Sequence, residues 1–431
     1  MENAVTKRQK SATHAISTNG SLANNMLDLD RLINSIRMAC DWLCDVAQTK
    51  TDAMPSDTDN PKNFNYASWK GAFRGEYSAD TKRWWYYCPI WHGGQAVKAL
   101  VMAGDALSED KYINAAKACA DFITANQVWD ESNQDHGLLL AYEDIGDKVN
   151  TSAVMEAMHG LMLLADKTNS PDLWNRVVAA GYFLINKMFS KEHGVFRDVY
   201  DPARHEVVLP NPFLSKRGQG RPLVEDAVLV KLFEKTGDKR FLDVHVAISR
   251  TLTADQDPPG NWMDYGPCNR AKGVFHPRHT YWWGLPLLDT YRATGEEEFL
   301  KTAIASGEFC IEAMRSDGGW IRGLYLDGKT DCFGHATSGS ACAAILWVEL
   351  FKQTNDPRWL APIHKALTYC QNMQMTNPAD KNLKGVILEK VLPPDGTDRN
   401  PYYIRDLGTI FYIIAGLEYL QLAKGRSWGP G

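Results

Sequence analysis

Apolar residues recur along the chain at the three- and four-residue spacing of helices that bury one face. Five segments repeat one pattern, in which an apolar helix, a short turn and a second helix follow one another. They read ALVMAGDALSEDKYINAAKACADFI, GLMLLADKTNSPDLWNRVVAAGYFL, VLVKLFEKTGDKRFLDVHVAISRTL, PLLDTYRATGEEEFLKTAIASGEFC and ILWVELFKQTNDPRWLAPIHKALTYC. The aligned residues Tyr112, Leu173, Phe241, Phe299 and Trp359 are 61, 68, 58 and 60 residues apart. This period predicts an array of helical hairpins.

The turn of each hairpin has the residues expected where one helix ends and another begins. Thr-Gly-Asp at 236–238 and Thr-Asn-Asp at 354–356 combine a residue that tolerates left-handed backbone with a side chain that caps the next helix. Long connections rich in glycine, proline and aromatic residues separate the hairpins, at roughly 51–88, 127–149, 190–220, 256–278, 316–335 and 375–401. Alternation at 195–210 predicts a small β-hairpin within one of them.

Two apolar segments remain without a partner, one from Met26 to Thr49 and one from Tyr402 to Leu422. If they pair, they form a sixth hairpin and twelve helices close into a ring. The alternative is an open solenoid of the same hairpins. Closure is favoured because the six long loops then share one rim and polar capping repeats are not evident. The sequence therefore predicts an all-α (α/α)6 toroid in one domain over 26–425, with flexible segments at 1–25 and 426–431.

The composition fits one large globular domain. The 431 residues are 44% hydrophobic and 11% aromatic, which is sufficient for a single extended core. The net charge is −5 without a sustained basic run, which argues against nucleic acid and anionic membranes as partners. No stretch approaches about 18 uninterrupted apolar residues, so no membrane span is predicted. No apolar run follows Lys7, Arg8 and Lys10, so we expect no secretory signal and a cytoplasmic location.

The cysteines favour the same compartment. Six of the nine lie within apolar helical patterns, namely Cys40, Cys44, Cys119, Cys310, Cys342 and Cys370. An odd count without any CxxC pair is typical of buried thiols in a reducing environment rather than of disulfides or zinc ligands. Neither a metal nor a cofactor is predicted.

The hairpin turns carry a resemblance to a known superfamily. Lys235-Thr236-Gly237-Asp238 and Ala293-Thr294-Gly295-Glu296 resemble the turns of the six-hairpin glycosidase-like superfamily, over roughly residues 27–422. Its (α/α)6 toroids include unsaturated glucuronyl hydrolases, other glycoside hydrolases, polysaccharide lyases and acylglucosamine epimerases. The resemblance implies the fold rather than the reaction. Glucuronyl hydrolases carry an aspartate where this chain has Arg221, so their mechanism is not transferred to it.

Aromatic and charged residues are concentrated where the loops enter the inner helices. Nine of the fourteen tryptophans lie in loops or first turns, and sugar rings need flat aromatic platforms beside charged hydrogen-bonding groups. For any one of these residues the alternative is ordinary packing between helices. The predicted substrate-binding residues are Trp84, Trp85, Trp91, His92, Arg221, Asp264, Arg278, Trp282, Trp283 and His335.

Carboxylates at the same rim indicate hydrolysis, because glycoside cleavage usually requires one protonated and one ionised carboxyl group. Glu225 and Asp226 follow a Gly/Arg-rich stretch and open an apolar inner helix, where burial would raise a pKa. Neighbouring helical positions point about 100° apart, so one of the two is expected to face the pocket. The alternative is a helix N-terminal carboxylate favoured by the dipole. Glu143 or Asp144 is the candidate for the second role.

Three functions remain open on the sequence. The first is a glycoside hydrolase that acts on the end of an oligosaccharide, whose sugar the basic groups suggest carries a carboxylate. The second is a lyase or epimerase of uronic acids, in which His279 and Tyr281 move protons and Arg221 and Arg278 neutralise the carboxylate. The third is a non-catalytic saccharide-binding toroid. The sequence does not indicate an oligomeric state.

Overall fold

Twelve α-helices, within the part of the chain described, form six antiparallel hairpins. The computed structural model describes residues 27–143, 145–276, 278–319, 324–325, 337–391 and 403–425. The predicted terminal segments 1–25 and 426–431 lie outside the described residues. The helices are α1 Leu29–Trp42, α2 Pro89–Leu107, α3 Asp110–Ala125, α4 Thr151–Thr168, α5 Pro171–Phe183, α6 Val228–Thr236, α7 Lys239–Asp255, α8 Pro286–Thr294, α9 Glu297–Ala313, α10 Thr337–Thr354, α11 Leu360–Asn372 and α12 Leu407–Gly425.

The even-numbered helices form an inner ring. Going round it, α2 contacts α4, α4 contacts α6, α6 contacts α8, the π-helical turn Thr280–Gly284 before α8 contacts α10, α10 contacts α12, and α12 returns to α2. Each of α3, α5, α7, α9 and α11 packs outside the inner helix that precedes it, and α1 packs outside α12. The ring is therefore closed, which confirms the predicted (α/α)6 toroid and its sixth hairpin.

The hairpin turns form for the reasons read from the sequence. Gly237 ends α6 with a φ of 71°, and the side chain of Asp238 accepts a hydrogen bond from the backbone N–H of Arg240 at 3.0 Å. Asn355 has a φ of 55°, and Asp356 caps the following helical turn in the same way. A left-handed residue followed by an acidic cap lets the chain reverse in three residues.

Two glycines bring α2 and α4 into close contact. A Cβ atom on Gly160 would lie 2.1 Å from the backbone oxygen of Gly94, and one on Gly94 would lie 2.3 Å from the Cα of Ala157. Side chains at these positions would therefore force the helices apart. The close contact places the first turns of α2 and α4, which carry several cavity residues, side by side.

Short strands occupy the long connections. They are β1 Thr58–Asp59, β2 Glu76–Ser78, β3 Arg83–Trp85, β4 Val149–Asn150, β5 Phe189–Ser190, β6 Val195–Phe196, β7 Val199–Asp201, β8 Glu206–Val207, β9 Val274–Phe275, β10 Leu324–Tyr325, β11 Lys390–Val391 and β12 Tyr403–Arg405. β7 and β8 pair antiparallel, which confirms the predicted β-hairpin within 195–210. A five-stranded sheet with order β1-β3-β2-β12-β11 joins the first connection to the segment before α12.

The described helices share one apolar core. The cysteines named above are buried in it as thiols. Among the described residues, none of the helices is both long enough and apolar enough to cross a bilayer.

Candidate active site

A cavity of about 200 Å³ opens where the inner helices begin. Its wall comes from the first turns of α2 and α4, the 3₁₀ turn Glu225–Ala227 before α6, the π-helical turn before α8 and the end of β12. The aromatic and charged residues of the wall are Tyr87, Trp91, Phe213, Trp282, Trp283, Glu143, Glu156, Glu225, Arg221, Arg278, Arg405 and His276. Flat apolar faces and ionisable groups thus line one cavity.

Glu225 is the carboxyl group with the clearest chemical signature. It is only 3% exposed, and burial raises its pKa to about 8, although its own backbone, Arg221 and Trp283 lower it in part. Its Oε2 atom has no hydrogen-bond partner among the described residues. The group is therefore largely protonated at neutral pH and keeps an oxygen available to a ligand.

Glu156 and Glu143 bring two further carboxyl groups to the cavity. Burial raises the pKa of Glu156 well above its ordinary value, and the charges of Glu225 and Glu143 raise it further. The indole N–H of Trp91 donates a hydrogen bond to the Glu156 carboxyl group. Burial and these charges therefore favour the neutral form of the Glu156 carboxyl group, and Glu143 remains the candidate for the second carboxyl role.

Two of the three arginines in the wall have carboxylate partners. Arg221 donates to Asp198 at 2.5 Å and to the backbone oxygen of Gly266 at 3.0 Å. Arg405 donates to Glu76 at 2.8 Å. Their charges are compensated inside the protein.

The third arginine, Arg278, lacks such compensation. It is 7% exposed, and its guanidinium carbon lies 5.0 Å from the ring centre of Trp282. It forms no ion pair within the described part of the chain, and its NH1 atom has no hydrogen-bond partner there. A buried guanidinium of this kind is a strong binding group for an anion.

Asp226 and Tyr281, both predicted to be catalytic, lie behind the cavity wall. Asp226 accepts hydrogen bonds from Gln95 at 2.7 Å, from Lys98 at 2.8 Å and from Tyr281 at 3.0 Å. Burial raises the pKa of Asp226, but Lys98 and His159 outweigh it and hold the pKa well below its ordinary value. Burial and the Asp226 charge raise the pKa of Tyr281 well above the usual range. Direct proton transfer to substrate by either group is therefore not supported by its position.

Two predicted substrate-binding residues of the first loop also lie outside the wall. Trp84 is buried against Trp42, with the Arg74 guanidinium 4.1 Å from its ring centre. Trp85 donates to Asp59 at 3.2 Å. In a short strand successive side chains face opposite sides, so these tryptophans serve the packing and the edge of the sheet rather than the cavity.

Three further predicted residues are used within the protein. His92 is fully buried, with Nδ1 2.6 Å from Asp406. His279 stacks on Trp283 at 4.1 Å between ring centres, and burial lowers its pKa to about 3. Asp264 forms an ion pair with Arg270. Predicted residues Asp144 and His335 lie outside the described residues.

The residues that the structure brings into the cavity from the predicted set are Glu143, Glu225, Trp91, Arg221, Arg278, Trp282 and Trp283. Arg405 and Phe213 were not anticipated. Tyr87, Glu156 and His276 belong to the loop and rim segments from which the site was predicted, but they were not among the predicted site residues. The signal for Arg405 was its place just before the last inner helix. The first turn of an inner helix can be located in the sequence by counting back from the hairpin turn that follows the helix. Among the described residues, no such turn follows α12. Among the described residues, no cluster of three His, Cys, Asp or Glu side chains suits a metal ion.

Comparison with known proteins identifies the fold. No protein-family model and no curated protein matches the sequence. An unsaturated glucuronyl hydrolase specific for heparin superposes with a TM-score of 0.67 at 13% identity, over 92% of this chain and 98% of that one. Cellobiose 2-epimerase from Bacillus thermoamylovorans B4167 gives 0.66 at 12% identity, over 91% and 100%. D-mannose isomerase gives 0.62 at 13% identity, over 91% and 97%. This chain shares their (α/α)6 toroid.

Proposed function

We propose that the protein is a glycoside hydrolase that removes a carboxylate-bearing sugar from the end of an oligosaccharide. The observation that carries the proposal is Glu225, a carboxyl group that stays protonated at neutral pH in the wall of the cavity. A protonated carboxyl group is what glycosidic cleavage needs as its acid. The toroids of an unsaturated glucuronyl hydrolase and of sugar epimerases support a sugar as the ligand.

The cavity suits the end of a chain rather than its middle. Its volume of about 200 Å³ is below the roughly 300–1,000 Å³ of sites for drug-sized ligands. Trp91, Trp282 and Tyr87 supply aromatic surface for the apolar faces of a sugar ring. One ring fills such a space, and the scissile bond then lies at its mouth.

The chemistry follows from the two protonation states. The Glu225 carboxyl group donates its proton to the glycosidic oxygen as the bond to the anomeric carbon breaks. Glu143, as the ionised partner, either takes a proton from the attacking water or attacks the anomeric carbon itself. Both routes consume one water, whose hydroxyl ends on the sugar. In the first route its proton goes to Glu143 and passes to solvent, from which Glu225 is reprotonated; in the second, Glu225 takes the proton of the water that breaks the bond between Glu143 and the sugar.

Arg278 is the proposed receptor for the sugar carboxylate. Arg221 and Arg405 already pair with Asp198 and Glu76, so Arg278 is the wall cation with capacity for a further anion among the described residues. A planar guanidinium can hold a carboxylate through two parallel hydrogen bonds. The selectivity for an acidic sugar is assigned to this contact.

The proposal is tested with purified protein, uronate-terminated and neutral oligosaccharides, and mass spectrometry. Hydrolysis adds about 18 Da in total to the products. Glu225→Gln keeps the shape but has no proton to donate, so kcat is expected to fall by a factor of about 10²–10⁴. Glu234→Gln, on the exposed face of α6, is the matched control and keeps full activity. Full activity of Glu225→Gln would contradict the assignment of the acid.

The role of Arg278 is tested by substrate selectivity. In Arg278→Met, kcat/KM on the uronate-terminated substrate is expected to fall about 10- to 100-fold, because a charged hydrogen bond contributes about 1.5–3 kcal/mol. Turnover of any neutral substrate should change far less. Arg204→Met, whose side chain is 75% exposed, serves as the control. Equal losses on both substrate types would argue against a carboxylate at Arg278.

A sugar epimerase or isomerase is the second candidate, and His276 is the observation that favours it. This histidine lines the cavity and stacks on Trp282 with 5.4 Å between ring centres, and histidine is the side chain most often used for general acid–base catalysis. Epimerisation or isomerisation leaves the mass unchanged in H₂O but incorporates deuterium from D₂O into the product when the removed proton exchanges. That result, lost in His276→Asn, would replace the hydrolase proposal.

A further inference from the structure

The backbone that carries Glu225 has an unusual conformation. Asp226 has φ 53° and ψ 14°, and Ala227 has φ 49° and ψ 36°, so two consecutive residues with side chains are left-handed at the start of an inner helix. Such conformations are costly and persist only where the surroundings hold them. The turn lies immediately before α6, and across it Glu225 lines the cavity while Asp226 lies behind the wall.

A polar network holds that turn from behind. The Asp226 carboxylate accepts from Gln95 Nε2 at 2.7 Å, Lys98 Nζ at 2.8 Å and Tyr281 OH at 3.0 Å. Lys231 Nζ donates to the backbone oxygen of Asp226 at 2.8 Å. Lys98 Nζ also donates to Tyr281 OH at 3.1 Å, so two of the groups that donate to Asp226 are hydrogen-bonded to each other. Side chain and backbone of one left-handed residue are thus both fixed.

The same network reaches the second buried carboxyl group. Trp91, Gln95 and Lys98 are spaced four and three residues apart on α2 and therefore share one face of it. Gln95 Nε2 donates to the backbone oxygen of Glu156 at 2.8 Å, and Trp91 donates to the Glu156 side chain. One helix face therefore sets the positions of Glu156 and of the Glu225 turn together.

Two ammonium groups face Asp226, and one of them, that of Lys231, also lies 4.0 Å from the Asp289 carboxylate. The Lys98 ammonium faces it from α2 and the Lys231 ammonium from α6, while Tyr281 faces it as a neutral phenol. His159 on α4 lies 3.7 Å away, and burial lowers its pKa to about 3, so it is neutral. The ion pair of Asp226 and Lys98 is fully enclosed, and removing one member leaves a buried charge without its partner.

We propose that Asp226 is a positioning residue, which through Gln95, Lys98 and Tyr281 holds the left-handed turn that aims Glu225 at the substrate. The inference rests on the proposed role of Glu225 as an acid. It assigns no contact between Asp226 and the substrate. If the polar network served only to fill the interior of the ring, breaking it would lower the stability of the protein and leave kcat unchanged.

The experiment combines kinetics with a measurement that needs no substrate. Difference infrared spectroscopy follows the protonated Glu225 carboxyl group as the pH is changed, and the pH at which half of it is ionised is the titration midpoint. The C=O band of Glu225 is identified as the band that is absent in Glu225→Gln. In Asp226→Asn the midpoint should move downward by more than about one pH unit, because Lys98 loses its counter-charge. On substrate, kcat should fall at least about tenfold, with KM within about threefold, since a misdirected acid affects the chemical step.

Three further variants separate position from charge. Lys98→Met with Asp226→Asn removes both charges, so the midpoint should return towards that of the unmodified protein while kcat stays low. Tyr281→Phe removes one hydrogen bond with little change in volume and should lower kcat several-fold even if Asp226→Asn does not fold. Asp243→Asn, exposed on α7, is the control and changes neither quantity.

The outcomes are distinguishable. The positioning role would be overturned if Asp226→Asn and Tyr281→Phe lost only stability. In that case both variants would keep the kcat and the Glu225 titration midpoint of the unmodified protein. If no substrate is hydrolysed by the unmodified protein, the proposed function fails, but the infrared midpoint still reports whether the network sets the environment of Glu225. A midpoint that moves in Asp226→Asn and returns in the double variant supports the network in that case as well.

Discussion

At the scale of single residues, the adjacent carboxyl groups Glu225 and Asp226 show how strongly local surroundings decide chemistry. Both are buried, yet the pKa of Glu225 is raised to about 8 whereas that of Asp226 is held well below its ordinary value. The difference lies in the partners, because Asp226 receives an ammonium and two neutral donors while Glu225 Oε2 receives none. Carboxyl groups whose pKa values are driven apart in this way are typical of acid–base sites.

The raised pKa of Glu225 has a consequence for stability. Between pH 4.5 and about 8 the group is protonated in the folded protein and ionised in the unfolded chain. The unfolded chain therefore binds fewer protons, and the free energy of unfolding falls as the pH rises through this window. A shift of this size corresponds to at most about 5 kcal/mol. The full contribution is present below pH 4.5 and is lost above about pH 8.

We expect Glu225→Gln to remove this part of the pH dependence. Denaturant unfolding at pH 5, 6.5 and 8 should show that the free energy of unfolding declines less steeply for the variant. The stability of the variant relative to the unmodified protein should therefore increase as the pH rises. Glu156 contributes a slope of the same sign to both proteins, and the part of it that comes from the Glu225 charge is lost in the variant, which makes the decline shallower still. Parallel pH profiles for the two proteins would show that Glu225 is not protonated in the fold.

The residues of the cavity were predictable only in part, for reasons that differ from residue to residue. Glu225 and Arg278 stand in a polar stretch before an apolar helix, and that contrast is visible in one sequence. His92 occupies a similar place, but its partner Asp406 is 314 residues away and draws it into the core. The partner of Arg405, Glu76, is 329 residues away. Pairings of this kind depend on the closure of the ring.

At the scale of elements, local chemistry predicted the hairpins well. A left-handed residue ends the first helix of each turn, and in three turns the next side chain caps the second helix, so no distant contact is needed to recognise them. These caps are Ser170, Asp238 and Asp356. The irregular turns before the inner helices were not predictable in this way. The left-handed pair at Asp226 and Ala227 and the π-helical turn Thr280–Gly284 are held by contacts with other helices.

The α2–α4 contact yields a prediction at this scale. In Gly160→Ala the new methyl group would meet the backbone oxygen of Gly94 at 2.1 Å, and backbone cannot rotate away as a side chain can. The helices must separate, so we expect a loss of about 1–3 kcal/mol in the free energy of unfolding. Because α2 also carries Gln95 and Lys98, kcat should fall together with stability.

Thermal and denaturant unfolding check this expectation against a matched substitution. Gly425→Ala, at the end of α12, places its methyl group in open space and should be neutral or slightly stabilising. If Gly160→Ala were as stable as Gly425→Ala, the close approach of α2 and α4 would be wrong.

At the scale of the whole molecule, the ring has a seam where its two ends meet. Tyr412 on α12 donates to Ser35 on α1 at 2.7 Å, although 377 residues separate them. A Cβ atom on Gly416 would lie 2.8 Å from Ile36 and 3.4 Å from Leu32, so α1 and α12 run antiparallel in close contact. The seam is thus another hairpin of the ring, formed by helices from opposite ends of the described chain.

A closed ring of equivalent hairpins should tolerate a new opening elsewhere. We consider residues 27–425 with Gly425 joined to Leu27 through a flexible linker of about ten residues, which spans about 17 Å on average. The new termini lie between Gly237 and Asp238, where a Cβ atom on Gly237 would meet no neighbour. Every contact between helices is retained, so this permuted chain should unfold in one cooperative transition at nearly the temperature of unpermuted 27–425.

Removal of α12 provides the contrast that decides between a ring and an open array. α12 packs between α10 and α2 and against α1, and its apolar residues are buried almost throughout. A chain ending at Asp406 would expose the facing surfaces of all three neighbours, so we expect it to lose cooperative unfolding and to bind a dye for exposed apolar surface. In an open solenoid the loss of a terminal helix would leave the remaining hairpins folded. Retention of the full cooperative transition by the truncated chain would therefore contradict closure, even if the permuted chain also folds.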